Sequence, residues 1–282
     1  LDLIIEKNKT RRGMMTEQEI SNKCKSLDAS NDTFKNIIKD CKNPKFNNLD
    51  KWQHFQAMAF KKENNPNIKN RFIKYKRGTV VMVNFGTSIG NELSGNHFAI
   101  VLNKKDSPKA GEITVLPLTS KANKSNINLG NELIQNIFSD VLKSMQDLVA
   151  FSAIIEDLLK DENGTFKYHE GQSVTFHDSL IEYYCMTIKP KKAATDGTIH
   201  YTTDEIADII NKVIHMLQDI TDYYNEKNKD SFAKILSITT ISKHRIKKSI
   251  NVLDPIGKIQ LSNETMDRID TEIVKAITNI AL

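Results

Sequence analysis

The sequence predicts an α+β fold in which a small barrel or sandwich of strands is interrupted by a helical block. Short β-branched runs, Thr79-Val-Val-Met-Val-Asn-Phe85, Phe98-Ala-Ile-Val-Leu102 and Ile113-Thr-Val-Leu-Pro-Leu-Thr119, are bounded by Gly, Asn and Pro, as strands are. Apolar residues then return at helical spacing over two long stretches, about Asn131 to Leu159 and Thr203 to Tyr224. After Asp230 the β texture resumes. Strands that flank helices in this way are what a long insertion between barrel strands produces, and no internal repeat accounts for them better.

From Thr16 to Arg71 the chain is polar and rich in Lys and Asn, with the apolar clusters Phe34-Lys-Asn-Ile-Ile38 and Trp52-Gln-His-Phe-Gln-Ala-Met-Ala-Phe60. Phe55, Met58 and Ala59 have helical spacing, so a few short helices joined by loops containing Pro44 and Pro66 are expected. Met14-Met15 mark an expected start, with the preceding residues as a leader. The first long helix carries Ile134, Ile137/Phe138, Val141, Met145, Leu148, Ile155 and Leu159, and loop-like, mixed sequence follows from Tyr168 to Lys192. The second carries Ile206, Ile209/Ile210, Val213, Leu217, Ile220 and Tyr224, and Thr202-Thr-Asp-Glu205 has the spacing of a capping box at its start. Each stripe must be buried, and the simplest partner is the other helix, giving an antiparallel hairpin that stands as a self-contained projection. Beyond it, Ala233-Lys-Ile-Leu-Ser-Ile-Thr-Thr-Ile241 and Ile256-Gly-Lys-Ile-Gln-Leu261 read as strands. Ser262 then caps a final helix along Met266, Ile269, Ile273, Ile277 and Ile280. The expected organisation is a helical extension over residues 1-74, a core over 75-125 and 231-282, and a helical insertion over 126-230.

Composition removes whole classes of function. With 282 residues, 39% hydrophobic and 27% charged, the chain can bury a sizeable core. No apolar run approaches the roughly 20 residues that span a bilayer. The opening Leu1-Asp2-Leu3-Ile4-Ile5 is broken too soon by Glu6 and Lys7 to serve as a secretory signal, so a cytoplasmic location is expected. Cys24, Cys41 and Cys185 lack the paired spacing of a zinc site or a disulfide framework. His169-Glu170 and His177 form no His-Glu-x-x-His pair, and Gly86, Gly90 and Gly95 form no phosphate-binding fingerprint. Neither a Gly-x-Ser-x-Gly elbow nor a catalytic-cysteine context is present. Metal, cofactor and acyl-transfer chemistry are therefore not expected. The excess of 40 Lys+Arg over 35 Asp+Glu, a formal charge of +5, is compatible with a polyanionic partner.

Four segments, in order, resemble the MazF/PemK family of toxins. Tyr75-Lys-Arg-Gly-Thr-Val-Val-Met-Val-Asn-Phe85 is similar to the family's opening strand with Arg-Gly before it. Gly90-Asn-Glu-Leu-Ser-Gly-Asn-His-Phe-Ala-Ile-Val-Leu102 is similar to its Gly-Ser-Glu-Gln-x-Gly-x-Arg-Pro loop and following strand. Val115-Leu-Pro-Leu-Thr-Ser-Lys121 lies where the family has a strand ending in a functional Thr or Ser. Ser237-Ile-Thr-Thr-Ile-Ser-Lys-His-Arg-Ile246, with the helix after Ser262, is similar to the family's strand-turn-helix ending. The resemblance covers roughly residues 75-121 and 233-282. It implies an SH3-like, strongly twisted barrel of the MazF/CcdB type with a C-terminal helix, usually a homodimer. His97 stands where the commoner pattern has Arg, and Phe98 where it has Pro.

The resemblance implies a toxin of a toxin-antitoxin system: a metal-independent endoribonuclease that cuts single-stranded RNA such as mRNA and is neutralised by a cognate antitoxin. Cleavage by 2′-hydroxyl attack needs one group to take a proton, another to protonate the leaving 5′-oxygen, and cations to steady the phosphorane. A histidine with an unperturbed pKa near ~6.5 suits either proton role. His97, at the mouth of a strand after a Gly-containing loop, is the first candidate, and a satisfied rim histidine is the alternative. Thr119 can hydrogen-bond a phosphate oxygen or simply cap a turn. Arg245 offers an always-charged fork for transition-state charge, or is an exposed turn residue. His244 is its neighbour or helper. Glu92 can orient His97, read a base edge or merely solvate its loop. Ser120, Lys121 and Lys104 are candidates for the RNA track.

Two rivals have sequence features of their own. Relatives of the same fold that bind DNA gyrase work through a Trp at the end of the C-terminal helix, whereas this chain ends Asn279-Ile-Ala-Leu282 and its one Trp is Trp52. The Leu116-Pro-Leu-Thr-Ser-Lys121 segment is also similar to nucleases restrained by an RNA antitoxin.

Overall fold

The computed structural model of the chain describes residues 15–40, 42–67, 70–165, 167, 169–177 and 198–280. Met14, Cys41, Tyr168, Cys185 and Lys192 lie outside the described residues, as do the first thirteen residues and the last two. The chain forms two compact units: one takes the N-terminal segment up to residue 69 together with Phe85–Gly95, the other Asn70–Asn84 and everything from Asn96 onward.

In the first unit, α1 spans Glu17–Asp40 and α2 spans Leu49–Glu63, with a 3-10 turn at Pro44–Phe46 before α2. The expected short helices are thus one 24-residue helix and one of 15. No Pro or Gly interrupts residues 17–40, so nothing in the backbone ends α1 early. Asn43 caps the 3-10 turn by accepting the Lys45 N–H. Gly86 has φ +76, and a Cβ there would lie 2.4 Å from the Trp52 indole, so only glycine fits. Trp52 itself stacks on Phe55.

The second unit holds strands β1 (Val80–Asn84), β2 (Asn96–Val101), β3 (Glu112–Thr119), β4 (Ile127–Gly130), β5 (Ser173–His177), β6 (Thr198–Thr202), β7 (Ser231–Ala233) and β8 (Thr239–Ser242). Its helices are α3 (Glu132–Leu158), α4 (Thr203–Asn225) and α5 (Asn263–Ile277). The main sheet is antiparallel in the order β1-β2-β3-β7-β4, with β8 also pairing β3. β3 is its hub: Glu112–Val115 pair with β8, while Leu118 and Thr119 pair with β7. Because β3 is shared, the single strand expected over 233–241 is split by a 3-10 turn at Ile235–Ser237. Among the described residues the strands do not close into the barrel that the resemblance implies. Isolated bridges Thr79↔Gln260 and Val83↔Ile246 cover the far edge of β1 instead.

The expected strand over Ile256–Leu261 is not one. Pro255 starts a turn whose carbonyl accepts the N–H groups of Lys258 and Ile259, and the following residues touch β1 through single bonds such as Val80 N–H to the Ile259 carbonyl. Its apolar residues Ile256, Ile259 and Leu261 are buried all the same, so they fill the core without joining the ladder. The mixed sequence after α3 hides a two-stranded sheet, β5 with β6, and the turn after β3 leads into the short strand β4.

One apolar core joins the sheet to the helices. Val80, Ile100, Leu116 and Leu118 share it with Ile137, Val141 and Leu148 of α3, with Val213, Leu217 and Ile220 of α4, and with Met266 and Ile269 of α5. A second cluster puts Phe151 and Ile155 near the end of α3 together with Ile206 and Ile209 at the start of α4, so the two helices run antiparallel as expected. They are not a self-contained projection, however. Both stripes are wide enough to bury one flank on the partner helix and the other on the sheet. The capping box at the start of α4 is complete, with Thr202 and Glu205 exchanging bonds. At α5, Ser262 accepts the Thr265 N–H, and Glu132, the first residue of α3, accepts the Ser262 N–H at 2.7 Å. A carboxylate from another helix thus completes a cap that is usually made within one helix.

Candidate functional site

β2 and β3 run antiparallel in the register Ala99↔Pro117, which brings the start of β2 beside the end of β3. His97 sits there, half-buried, with Nδ1 3.2 Å from the Leu118 carbonyl oxygen. A carbonyl only accepts, so in this contact Nδ1 is the donor. Thr119 closes β3, and its hydroxyl oxygen accepts the Lys121 N–H at 3.2 Å, as in the turn-cap alternative to a phosphate-binding role. That bond uses an oxygen lone pair and leaves the hydroxyl hydrogen available as a donor.

Around these residues lies a cleft of about 300 Å³ lined by Met82, Asn96, His97 and Phe98 from β1 and β2, and by Leu118, Thr119, Ser120 and Lys121 from the end of β3. Its remaining wall is the segment that follows α4, contributing Glu226, Lys227, Lys229, Asp230 and Ser231. The structure therefore gathers His97, Thr119, Ser120 and Lys121, which the sequence singled out, with charged residues that it did not. No motif marks these last residues, because in sequence they are an ordinary polar helix end. A histidine, two carboxylates and three ammonium groups around one apolar floor can exchange protons with an anionic ligand and hold it.

Arg245, His244 and Lys104 do not line this cleft. Arg245 lies in a 3-10 turn at Lys243–Arg245, half-buried, where burial pushes the guanidinium pKa down from its ordinary value. That turn is fixed against β1 by the Lys247 N–H to the Met82 carbonyl and by the Val83↔Ile246 bridge. His244, next to it, packs edge-on to Phe72 with ring centroids 5.0 Å apart. Lys104 is exposed in the turn between β2 and β3, and Glu92, exposed in a turn that begins at Ile89, belongs to the first compact unit.

A wider groove is lined by Lys124, Arg268 and Lys275 among others, and the one carboxylate among its described lining residues, Glu272, is bound to Lys275 at 2.8 Å. It offers cations but no group placed for proton transfer. Among the described residues no cluster of His, Cys, Asp and Glu could hold a metal ion, and no helix is long and apolar enough to cross a membrane.

Residues 76–145 match the family described as PemK-like, MazF-like toxin of type II toxin-antitoxin system. The matched segment contains β1, β2, β3, β4 and the start of α3, and hence His97, Thr119, Ser120 and Lys121 of the cleft. Further sequence extends the chain on both sides of it. No curated protein matches the chain.

Proposed function

We propose that this chain, PemK/MazF-like over its central strands, is a toxin endoribonuclease that cuts single-stranded RNA such as mRNA without a metal. The reaction is attack of the 2′-hydroxyl on the adjacent phosphate, leaving a 2′,3′-cyclic phosphate and a 5′-hydroxyl. His97 serves as a proton-transfer group, and the Thr119 hydroxyl donates to a phosphate oxygen. Ser120 and Lys121 contact the strand. A cognate antitoxin restrains the activity, and the family resemblance implies a homodimer and an SH3-like barrel relation for residues 75–125 and 231–282. Residues 1–74 are then an extension and 126–230 an insertion. Arg245, the candidate for transition-state charge, lies in a 3-10 turn and does not line the cleft.

The single observation that carries this reading is the convergence on one cleft of His97 and Thr119, which come from two different strands and both lie within the family-matched segment. Proton transfer by a placed histidine typically contributes about 10²–10⁴-fold in rate, which is the scale such a reaction asks of it.

The test is to incubate the purified protein with a long single-stranded RNA in EDTA and map the ends. Cleavage with 2′,3′-cyclic phosphate and 5′-hydroxyl ends is the expected result. Cleavage only with a divalent ion overturns the mechanism. Intact RNA beside a stalled gyrase moves the chain to the non-enzymatic toxins of this fold.

A further inference from the structure

The cleft takes one wall from the end of the inserted block, and that wall is fixed in place. Tyr224, in the last turn of α4, donates its hydroxyl to Asp254 at 2.9 Å and stacks on Phe98, itself a cleft residue, with ring centroids 6.2 Å apart. Asp254 is also held, accepting the N–H groups of Ile250 and Ile256. Burial and the Asp254 carboxylate push the Tyr224 phenol pKa far up, so the hydroxyl keeps the proton that makes this bond. Three residues further on, Lys227 rests over the Tyr223 ring with Nζ 3.7 Å from its centroid, and the Tyr223 ring meets Tyr224 edge-on at 5.0 Å. Tyr223 and Tyr224 thus set the position of the ammonium group of Lys227, a residue that lines the cleft.

We infer that Lys227 and Lys229, from the end of the inserted block, bind the phosphates of a nucleic-acid strand lying in the cleft, and so supply the cationic function that the sequence assigned to Arg245. The inference rests on the RNA-cleaving reading of this cleft. A phosphate in transit to a phosphorane gathers negative charge, and the cations that steady it must already be in position when the charge develops. Lys121, at the end of β3, is exposed, whereas Lys227 is half-buried against an aromatic face. A lysine already ordered loses less side-chain freedom on binding than an exposed one. The same segment carries Glu226 and Asp230, so charge count alone does not favour an anion there. Position does, and Lys227 is the better placed of the two.

The binding probe is a single-stranded RNA oligonucleotide with 2′-O-methyl groups throughout, which the proposed reaction cannot cut, titrated by fluorescence anisotropy across a range of salt. Cleavage of the unmodified RNA is followed in parallel, and the urea midpoint of every variant is recorded. Lys227→Met should weaken binding about five- to tenfold and reduce the salt slope by about 0.7, the share of one phosphate contact on a single strand. Lys227→Arg should restore most of both, and Lys229→Met should have a smaller effect. Tyr223→Leu, which keeps the lysine but removes its perch, should lower kcat more than it raises KM. Lys212→Met, at an exposed lysine on α4, should change neither. If wild type cuts RNA and Lys227→Met binds and cuts as wild type does at an unchanged urea midpoint, the inference fails and the nuclease reading stands. If wild type binds the oligonucleotide with a slope that depends on Lys227 but does not cut, the phosphate site stands and the nuclease reading falls. Wild type that neither binds nor cuts overturns both.

Discussion

The Lys243 ammonium lies 2.7 Å from each carboxylate oxygen of Asp106, and both side chains are 2% exposed. Lys243 also donates toward the carbonyls of Ile73 and Ser107, while Asp106 accepts the Tyr75 N–H at 2.8 Å. One buried ion pair therefore ties the segment before β1, the turn between β2 and β3, and the turn after β8, with Phe72 and Tyr75 rings about the cation. Arg245 is two residues along the same turn, half-buried.

Removing one partner of this pair leaves the other charge buried and unmatched. Lys243→Met should lower unfolding stability by about 3–5 kcal/mol, read from urea denaturation. Burial alone would raise the Asp106 pKa, but hydrogen bonds from Lys243 and from the N–H groups of Tyr75 and Ser107 outweigh it and hold the carboxyl below its ordinary value. A folded pKa below the unfolded one means the pair's contribution is fully present above the unfolded carboxylate range, near pH ~4. It is lost as pH falls through the lower folded value. The urea midpoint of wild type should therefore drop in acid below that pH, and Asp106→Asn should remove that part of the drop.

His97→Ala should cut RNA about 10²–10⁴-fold more slowly, with the urea midpoint nearly unchanged because the ring is only half-buried. Thr119→Ala should also lower turnover, whereas Arg245→Met should show its effect first as lost stability. A His97 variant that cuts at the parental rate would move the proton-transfer role to another cleft group.

Replacing residues 126–230 with a short Gly/Ser linker should prevent folding of the second unit. It removes β4 and both long helices, and with them Ile137, Val141, Val213, Leu217 and Ile220 from the shared core. At about 1.5–3 kcal/mol for each buried apolar side chain, the loss is as large as a domain's whole stability of about 5–15 kcal/mol. The expected protein binds ANS and shows no cooperative urea transition. A cooperative transition would show that the strands make a core by themselves.

Glu132→Ala should cost about 1–2 kcal/mol, the scale of a lost helix cap. The Ser262 N–H and the Thr265 hydroxyl both lose their acceptor. Amide hydrogen exchange should speed up in the first turn of α5 before it does in α4, whose capping box is made of its own residues.

By itself the sequence determined the elements whose signal is local. β-branched runs fixed β1 to β3, a 3.6-residue apolar stripe fixed α3 and α4, and Thr202, Glu205 and Ser262 fixed helix starts through bonds only three residues long. His97 and Thr119 were legible because a residue type and a strand end can be read together. Only the tertiary structure decided what depends on distant partners. It brought the start of β2 beside the end of β3 and so made a cleft of His97, Thr119 and Lys121. It split the run over 233–241 because β3 must serve two strands, and it left Ile256–Leu261 as core filling without a ladder. It buried Lys243 with Asp106, 137 residues away along the chain, a pairing that no spacing announces. It also laid the polar end of α4 along the cleft, since a helix stripe shows that a face will be buried but not which surface will cover it.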